Sequence, residues 1–316
     1  MWRRPAARSM VVVIHVDQLT KRYGDHVAVR DVSFRCEPGT VTGFLGPNGA
    51  GKSTTMRMLC GLTSPTAGRA TVLGVPYRAL PSPGREIGVL LDASAQHAGR
   101  TGREVLGLTA QLLGVDASRA EATLRRVGLD GKAGRRRVGD YSLGMRQRLG
   151  LATALIGDPR ILVLDEPANG LDPEGIAWMR GLLREFADGG GTVLLSSHLL
   201  REVEAVADRL VVISGGQIVA DGTKEELLHS TGVLVRSTDR TGLRRALAAA
   251  GLPSTTTTDG GQLVEGDPEA IGRAALDAGL VLTELRPADG AGLEELFLSL
   301  TQNGGHAADV PQEVAA

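Results

Sequence analysis

The chain has 316 residues, 42% of them hydrophobic, enough to bury one large core and a smaller one. A formal net charge of −1 removes any bulk electrostatic case for binding nucleic acid or an anionic membrane. No run reaches the ~18 apolar residues that would span a bilayer, and the two cysteines, Cys36 and Cys60, lack metal-ligand spacing and read as free thiols of a reducing compartment.

Met1–Ser9 shows no apolar periodicity and is expected to be disordered. Val11-Val12-Val13-Ile14 is too short for the core of a signal peptide and reads as the first strand of an antiparallel β part spanning Val11–Val41. Val41–Leu45 is small, β-branched and apolar, as a buried strand should be, and Thr54–Leu62 reads as a helix. Between them lies Gly46-Pro47-Asn48-Gly49-Ala50-Gly51-Lys52-Ser53-Thr54, a G-x-x-x-x-G-K-[ST] pattern in strand–loop–helix context. Its glycines let backbone N–H groups turn toward phosphate oxygens, and the helix N-terminus adds partial positive charge. Lys52 is expected to reach the β- and γ-phosphates of ATP, and Ser53 to offer its hydroxyl to Mg²⁺.

Ile87–Asp92 reads as a strand, and Arg103–Val138 as a helical subdomain with apolar residues at helical spacing. Arg135-Arg136-Arg137 is a solvated charge run. Ser142 reads as the N-cap of a helix through Leu149, Leu151 and Ala152. Ile161–Leu164 is an apolar strand that runs into two carboxylates, Asp165 and Glu166. The C-terminal edge of a parallel strand is where an open α/β sheet binds ligands, so Asp165 is assigned to Mg²⁺ and Glu166 to the attacking water. Strands at Val193–Leu195 and Val211–Ile213 alternate with helices, which implies a mostly parallel sheet. Asp221-Gly222-Thr223 reads as the N-cap of a helix over Glu225–Leu228.

Beyond Ser230 the pattern changes to a small α+β module. Strands are expected at Val233–Arg236, Gln262–Val264 and Val281–Leu285, and helices at Leu243–Ala250 and Ile271–Ala278. Thr255–Thr258 is an edge strand or hairpin arm, and Leu293–Phe297 a final amphipathic turn. The expected organisation is a disordered extension 1–9, a nucleotide-binding domain 10–228, an accessory domain 229–301 and a disordered tail 302–316.

Tyr141-Ser142-Leu143-Gly144-Met145-Arg146-Gln147-Arg148-Leu149 resembles the signature motif of the ATP-binding cassette (ABC) family. Ser142 and Gly144 match the family's LSGGQ; Tyr141, Leu143 and Met145 depart from it. Tyr23, in Lys21-Arg22-Tyr23-Gly24, resembles the aromatic that stacks on adenine, Asn169-Gly170-Leu171-Asp172 the D-loop, and His198 the switch histidine. The resemblance implies an α/β P-loop NTPase cassette with a mostly parallel sheet, an antiparallel β part and a helical subdomain. It further implies a homodimer of cassettes, each ATP lying between Gly46–Thr54 of one and Ser142–Gly144 of the other. Glu166 would be the base, with Lys52 on the phosphates, His198 on the γ-phosphate, Ser53 and Asp165 on Mg²⁺, and Asp172 communicating across the dimer.

One position departs. The glutamine that ends the strand before the helical subdomain is replaced by Asp92, with Gln96 four residues on. Asp92 is expected near Mg²⁺, the alternative being a residue that only caps its loop. The C-terminal module resembles the extension of bacterial export-type ABC ATPases, including the daunorubicin-resistance-like group. The implied function is the ATP-hydrolysing subunit of an exporter of a drug, lipid or antibiotic-like substrate. It would act from the cytoplasmic side of the membrane on a separately encoded membrane-spanning subunit, with no nucleic-acid partner. The alternative is a soluble non-transport ABC ATPase acting on the ribosome or DNA, disfavoured by the single phosphate loop and the short Asp92–Ser142 interval.

Overall fold

The computed structural model describes residues 13–228, 232–257 and 260–287. The expectations for residues 1–9, Leu293–Phe297 and 302–316 lie outside the described residues. Those described fall into two compact units, one up to Lys224 and one from Glu225 onward.

In the first unit β1 (Ile14–Tyr23) and β2 (His26–Cys36) form a hairpin, and β3 (Val41–Leu45) leads into α1 (Lys52–Leu59). β4 (Ala67–Val72) returns beside β1, giving a three-stranded antiparallel sheet in the order β2-β1-β4. α2 (Pro83–Glu86) and β5 (Ile87–Leu90) precede the helical part: α3 (Gly102–Leu113), α4 (Ser118–Arg126), α5 (Gly131–Arg135) and α6 (Leu143–Leu155). β6 (Ile161–Leu164), α7 (Pro173–Asp188), β7 (Thr192–Ser197), α8 (Leu200–Glu204), β8 (Arg209–Ser214) and β9 (Gln217–Thr223) follow, and α9 (Lys224–Leu228) begins where the units divide.

The second sheet runs β5-β6-β7-β3-β8-β9, parallel through β8 and antiparallel at β9. Its inner strands are covered on both faces, so β3, β6 and β7 are buried at every residue, and β6 reads as a continuous apolar run. One face of β1 is buried instead, and its residues begin in alternation. Phe34 of β2 stacks on Phe44 of β3 with centroids 5.2 Å apart, inside the core shared by the two sheets. A separate core joins the helices around Leu106, Leu124 and Leu149, each fully buried. Such a side chain contributes about 1.5–3 kcal/mol by leaving water.

Register decides where the chemistry lies. Leu90 pairs with Leu164, Leu164 with Leu195, and Leu45 with Ser197. Asp92, Asp165, Glu166, His198 and Gly46 therefore all emerge at the same C-terminal edge of the sheet.

In the second unit β10 (Val233–Ser237), α10 (Arg240–Ala249), β11 (Ser254–Thr256), β12 (Gln262–Val264), α11 (Pro268–Asp277) and β13 (Leu282–Pro287) form a split βαβ arrangement. The sheet is antiparallel, in the order β11-β12-β10-β13. Its own core contains Val235, Leu247, Val264 and Ile271. β11 is an edge strand, as the threonine run suggested, with Thr258 outside the described residues.

Three local expectations are corrected. α1 begins at Lys52, because Gly51 already forms its N-cap, and stops at Leu59 rather than Leu62. Asp221-Gly222-Thr223 completes β9, where Asp221 pairs with Arg209 of β8 at 2.9 Å, and α9 begins directly after it at Lys224. The strand expected to reach Asp92 ends at Leu90.

Candidate functional site

Gly51 has φ +105, and a Cβ there would lie 2.6 Å from Ala28 O, so glycine alone fits the turn into α1. Ala50 N donates to Pro47 O and Thr55 Oγ1 to Gly51 O, which closes the loop on itself. Lys52 is buried, at 6% exposure, yet its ammonium is satisfied. Nζ donates to Gly46 O at 2.6 Å and Pro47 O at 3.2 Å, and stands 3.8 Å from Glu166 Oε1. Carbonyl acceptors can be exchanged for phosphate oxygens, which bind an ammonium more strongly because they carry charge. A cavity of about 390 Å³ opens here, lined by Tyr23, Pro47, Lys52, Ser53 and Glu166 among others. Asn48, Gly49, Gly51 and Thr54 also line it, and Gly46 and Ala50 are buried within the loop.

The two acids are set by β7. Ser196, fully buried, donates its hydroxyl to Asp165 Oδ1 and accepts from Glu166 N at 3.0 Å. Glu166 adopts φ +49, in the left-handed region that non-glycine residues rarely enter. Its Oε2 meets His198 twice, at 2.7 Å from Nδ1 and 3.3 Å from the backbone N. Its Oε1 is buried without a hydrogen bond among the described residues. The carboxylate thus presents one held oxygen and one open one.

Tyr23 ends β1 half exposed, with Lys21 Nζ 4.9 Å from its ring centroid. Ser142 accepts from Met145 N at 3.2 Å and caps α6; Asp172 accepts from Gly175 N at 2.8 Å and caps α7. Ser142, Gly144 and Asp172 are not among the described residues lining the cavity. Nor is Asp92, whose Oδ1 accepts from Ser94 N at 2.7 Å and Ser94 Oγ at 2.6 Å. Those bonds hold its carboxyl below the usual range. Asp92 therefore caps its own loop here, the plainer of the two expectations. Gln96 closes the same short turn.

Sequence reasoning missed three residues. Ser196 passed as part of an apolar strand, although a polar side chain in a fully buried run needs a partner. Gln147, 4% exposed, donates Nε2 to Glu166 O at 3.1 Å, and its signal was a lone amide among the buried residues of α6. His26 lines the cavity beside Tyr23, and no feature of its sequence neighbourhood announces it.

A strand–loop–helix with a buried lysine, facing a carboxylate from the same edge of the sheet, defines a P-loop nucleoside triphosphatase. Comparison with known proteins narrows the class. The family described as ABC transporter matches residues 29–169, and one described as a domain of unknown function matches residues 231–294. Nod factor export ATP-binding protein I of Rhizobium etli is 40% identical over 233 residues, covering 72% of this chain and 73% of its own. Daunorubicin resistance ATP-binding protein DrrA3 of Streptomyces coeruleorubidus is 38% identical, covering 91% of this chain and 95% of its own. Bacitracin transport ATP-binding protein BcrA of Enterococcus faecalis is 39% identical, covering 69% and 71%. Among solved structures, an ATP binding subunit of an ABC transporter superposes with TM-score 0.63 at 28% identity, over 68% of this chain and 91% of its own. The chain belongs to the ABC transporter family, as one of its ATPase subunits.

Proposed function

We propose that this chain hydrolyses ATP in the cavity at Lys52 and so drives export through a separate membrane-spanning subunit. The observation that carries the reading is the Lys52–Glu166 pair, 3.8 Å apart on the cavity wall. It sets a cation for the phosphates beside a carboxylate for water. The triphosphate lies against the loop amides and the N-terminus of α1, where dipole and N–H groups favour an anion. Lys52 leaves Gly46 O and Pro47 O for phosphate oxygens, and Tyr23 offers a stacking face to the base. Ser53 and Asp165 supply hard oxygen donors of the kind Mg²⁺ takes, and their chemistry fits that ion. When bound, it neutralises charge on the phosphates. Glu166 Oε1 is the open acceptor for the proton of the attacking water, while His198 holds Oε2 and stands ready for the γ-phosphate.

Two copies complete the site in this reading. Ser142 and Leu143 are exposed at the start of α6, available to a partner's nucleotide, with Asp172 at the join. Among the described residues no helix is long and apolar enough to cross a membrane, and in this reading another subunit does the work on cargo. In this reading the chain works at the cytoplasmic face of a membrane. The cargo is a drug, lipid or antibiotic-like molecule in this reading, and relatives named for daunorubicin resistance and bacitracin transport support the drug and antibiotic classes. Residues up to about Leu228 form the cassette, and the split βαβ unit is accessory to it.

Glu166→Gln tests the assignment. The variant binds ATP normally, hydrolyses it at least ~10²-fold more slowly, and elutes as a dimer in ATP on size exclusion. Near-normal turnover would remove Glu166 as the base.

A further inference from the structure

Helix α6 is stitched to the loop carrying Glu166 over its first two turns. Leu143 packs on Gly170, where an added Cβ would come within 2.3 Å of Leu143 Cγ. Gly144 approaches so closely that a Cβ on it would lie 2.8 Å from Gly170 O. One turn on, and on the same face as Leu143, Gln147 Nε2 donates to Glu166 O at 3.1 Å. Arg148 then stacks 4.4 Å above the ring of Trp178 on α7. The Glu166 residue is held at both ends of its backbone: Ser196 holds the N–H, and the C=O accepts from Gln147 Nε2 and from Asn169 N at 3.2 Å. Between those grips lies the left-handed φ of +49.

An apolar side chain of the same length would fill this space without the cost of burying an amide. What the glutamine adds is a directed donor. We propose that Gln147 is a positioning residue for hydrolysis. It pins the Glu166 backbone in its disfavoured conformation, so that the carboxylate faces the cavity, and ties it to the helix that begins at Ser142. The proposal rests on the reading of Glu166 as the base.

Gln147→Met keeps length and volume and deletes the donor; Gln147→Leu also deletes it and serves if the first variant fails to fold. The full chain is assayed for ATPase rate, fluorescent-ATP affinity and melting temperature. The expected result is a kcat about tenfold or more lower, with ATP affinity and melting temperature unchanged. In a Glu166→Gln background the same substitution changes the residual rate less than about twofold, because the group it positions is gone. An unchanged kcat, or a loss that multiplies onto that of Glu166→Gln, overturns the proposal. A fast Glu166→Gln enzyme would instead refute the base assignment. A slow one beside an unaffected Gln147→Met refutes only the role of Gln147.

Discussion

Ser196→Ala isolates the group that sets both acids. The substitution deletes one oxygen from a fully buried side chain and leaves no cavity of consequence. Two bonds disappear: the donation to Asp165 Oδ1 and the acceptance from Glu166 N. An unsatisfied buried group costs about 1–3 kcal/mol. Asp165 is only half-buried, so water recovers much of the first loss, and the total comes to about 2–3 kcal/mol. For a unit of this size 1 kcal/mol moves the melting temperature by about 2–4 °C, so the variant melts about 4–12 °C lower. Hydrolysis falls as well, because the Glu166 N–H loses the side chain that holds it. Calorimetry and a steady-state ATPase assay on the same preparation measure both effects. A variant that melts within 1 °C or so of wild type and turns over normally would show that Ser196 holds neither acid.

Asp92→Ala raises the Mg²⁺ concentration needed for half-maximal ATPase activity if the carboxylate swings from its Ser94 cap once ATP is bound, whereas Gln96→Ala changes little; a silent Asp92→Ala leaves the residue as a loop cap. Leu247→Ala, in the core of the second unit, costs that unit about 2–5 kcal/mol and leaves the ATPase rate intact, and a lost rate would show that the cassette depends on that core. Burial pushes the thiols of Cys36 and Cys60 up from 9.0 to about 12, so neither reacts with a thiol reagent at pH 8 until the protein unfolds. Because the folded state holds those protons more tightly, the stability they contribute is complete below about pH 9 and is lost as pH rises toward about 12. Denaturation midpoints across that interval would expose a flat, and therefore contrary, profile.

The sequence by itself determined whatever rests on contacts close along the chain. The phosphate loop is a stretch of backbone whose glycines and lysine act within one turn, so its spacing was enough to place it. The same holds for the cap at Ser142, bonded three residues ahead. The buried strand Ile161–Leu164 announced itself as an unbroken apolar run, and the split βαβ unit showed its alternation of strands and helices. Tertiary structure decided the rest, because the partners are remote. Asp221 could cap a helix or pair across a sheet, and Arg209 on the neighbouring strand settled it as β9. Ser196 reaches Asp165 across 31 positions and Gln147 reaches Glu166 across 19, distances over which no local pattern reports. The left-handed backbone of Glu166 is disfavoured locally, and two of the bonds made to it come from those remote side chains. Neighbouring residues cannot signal a conformation that distant side chains hold.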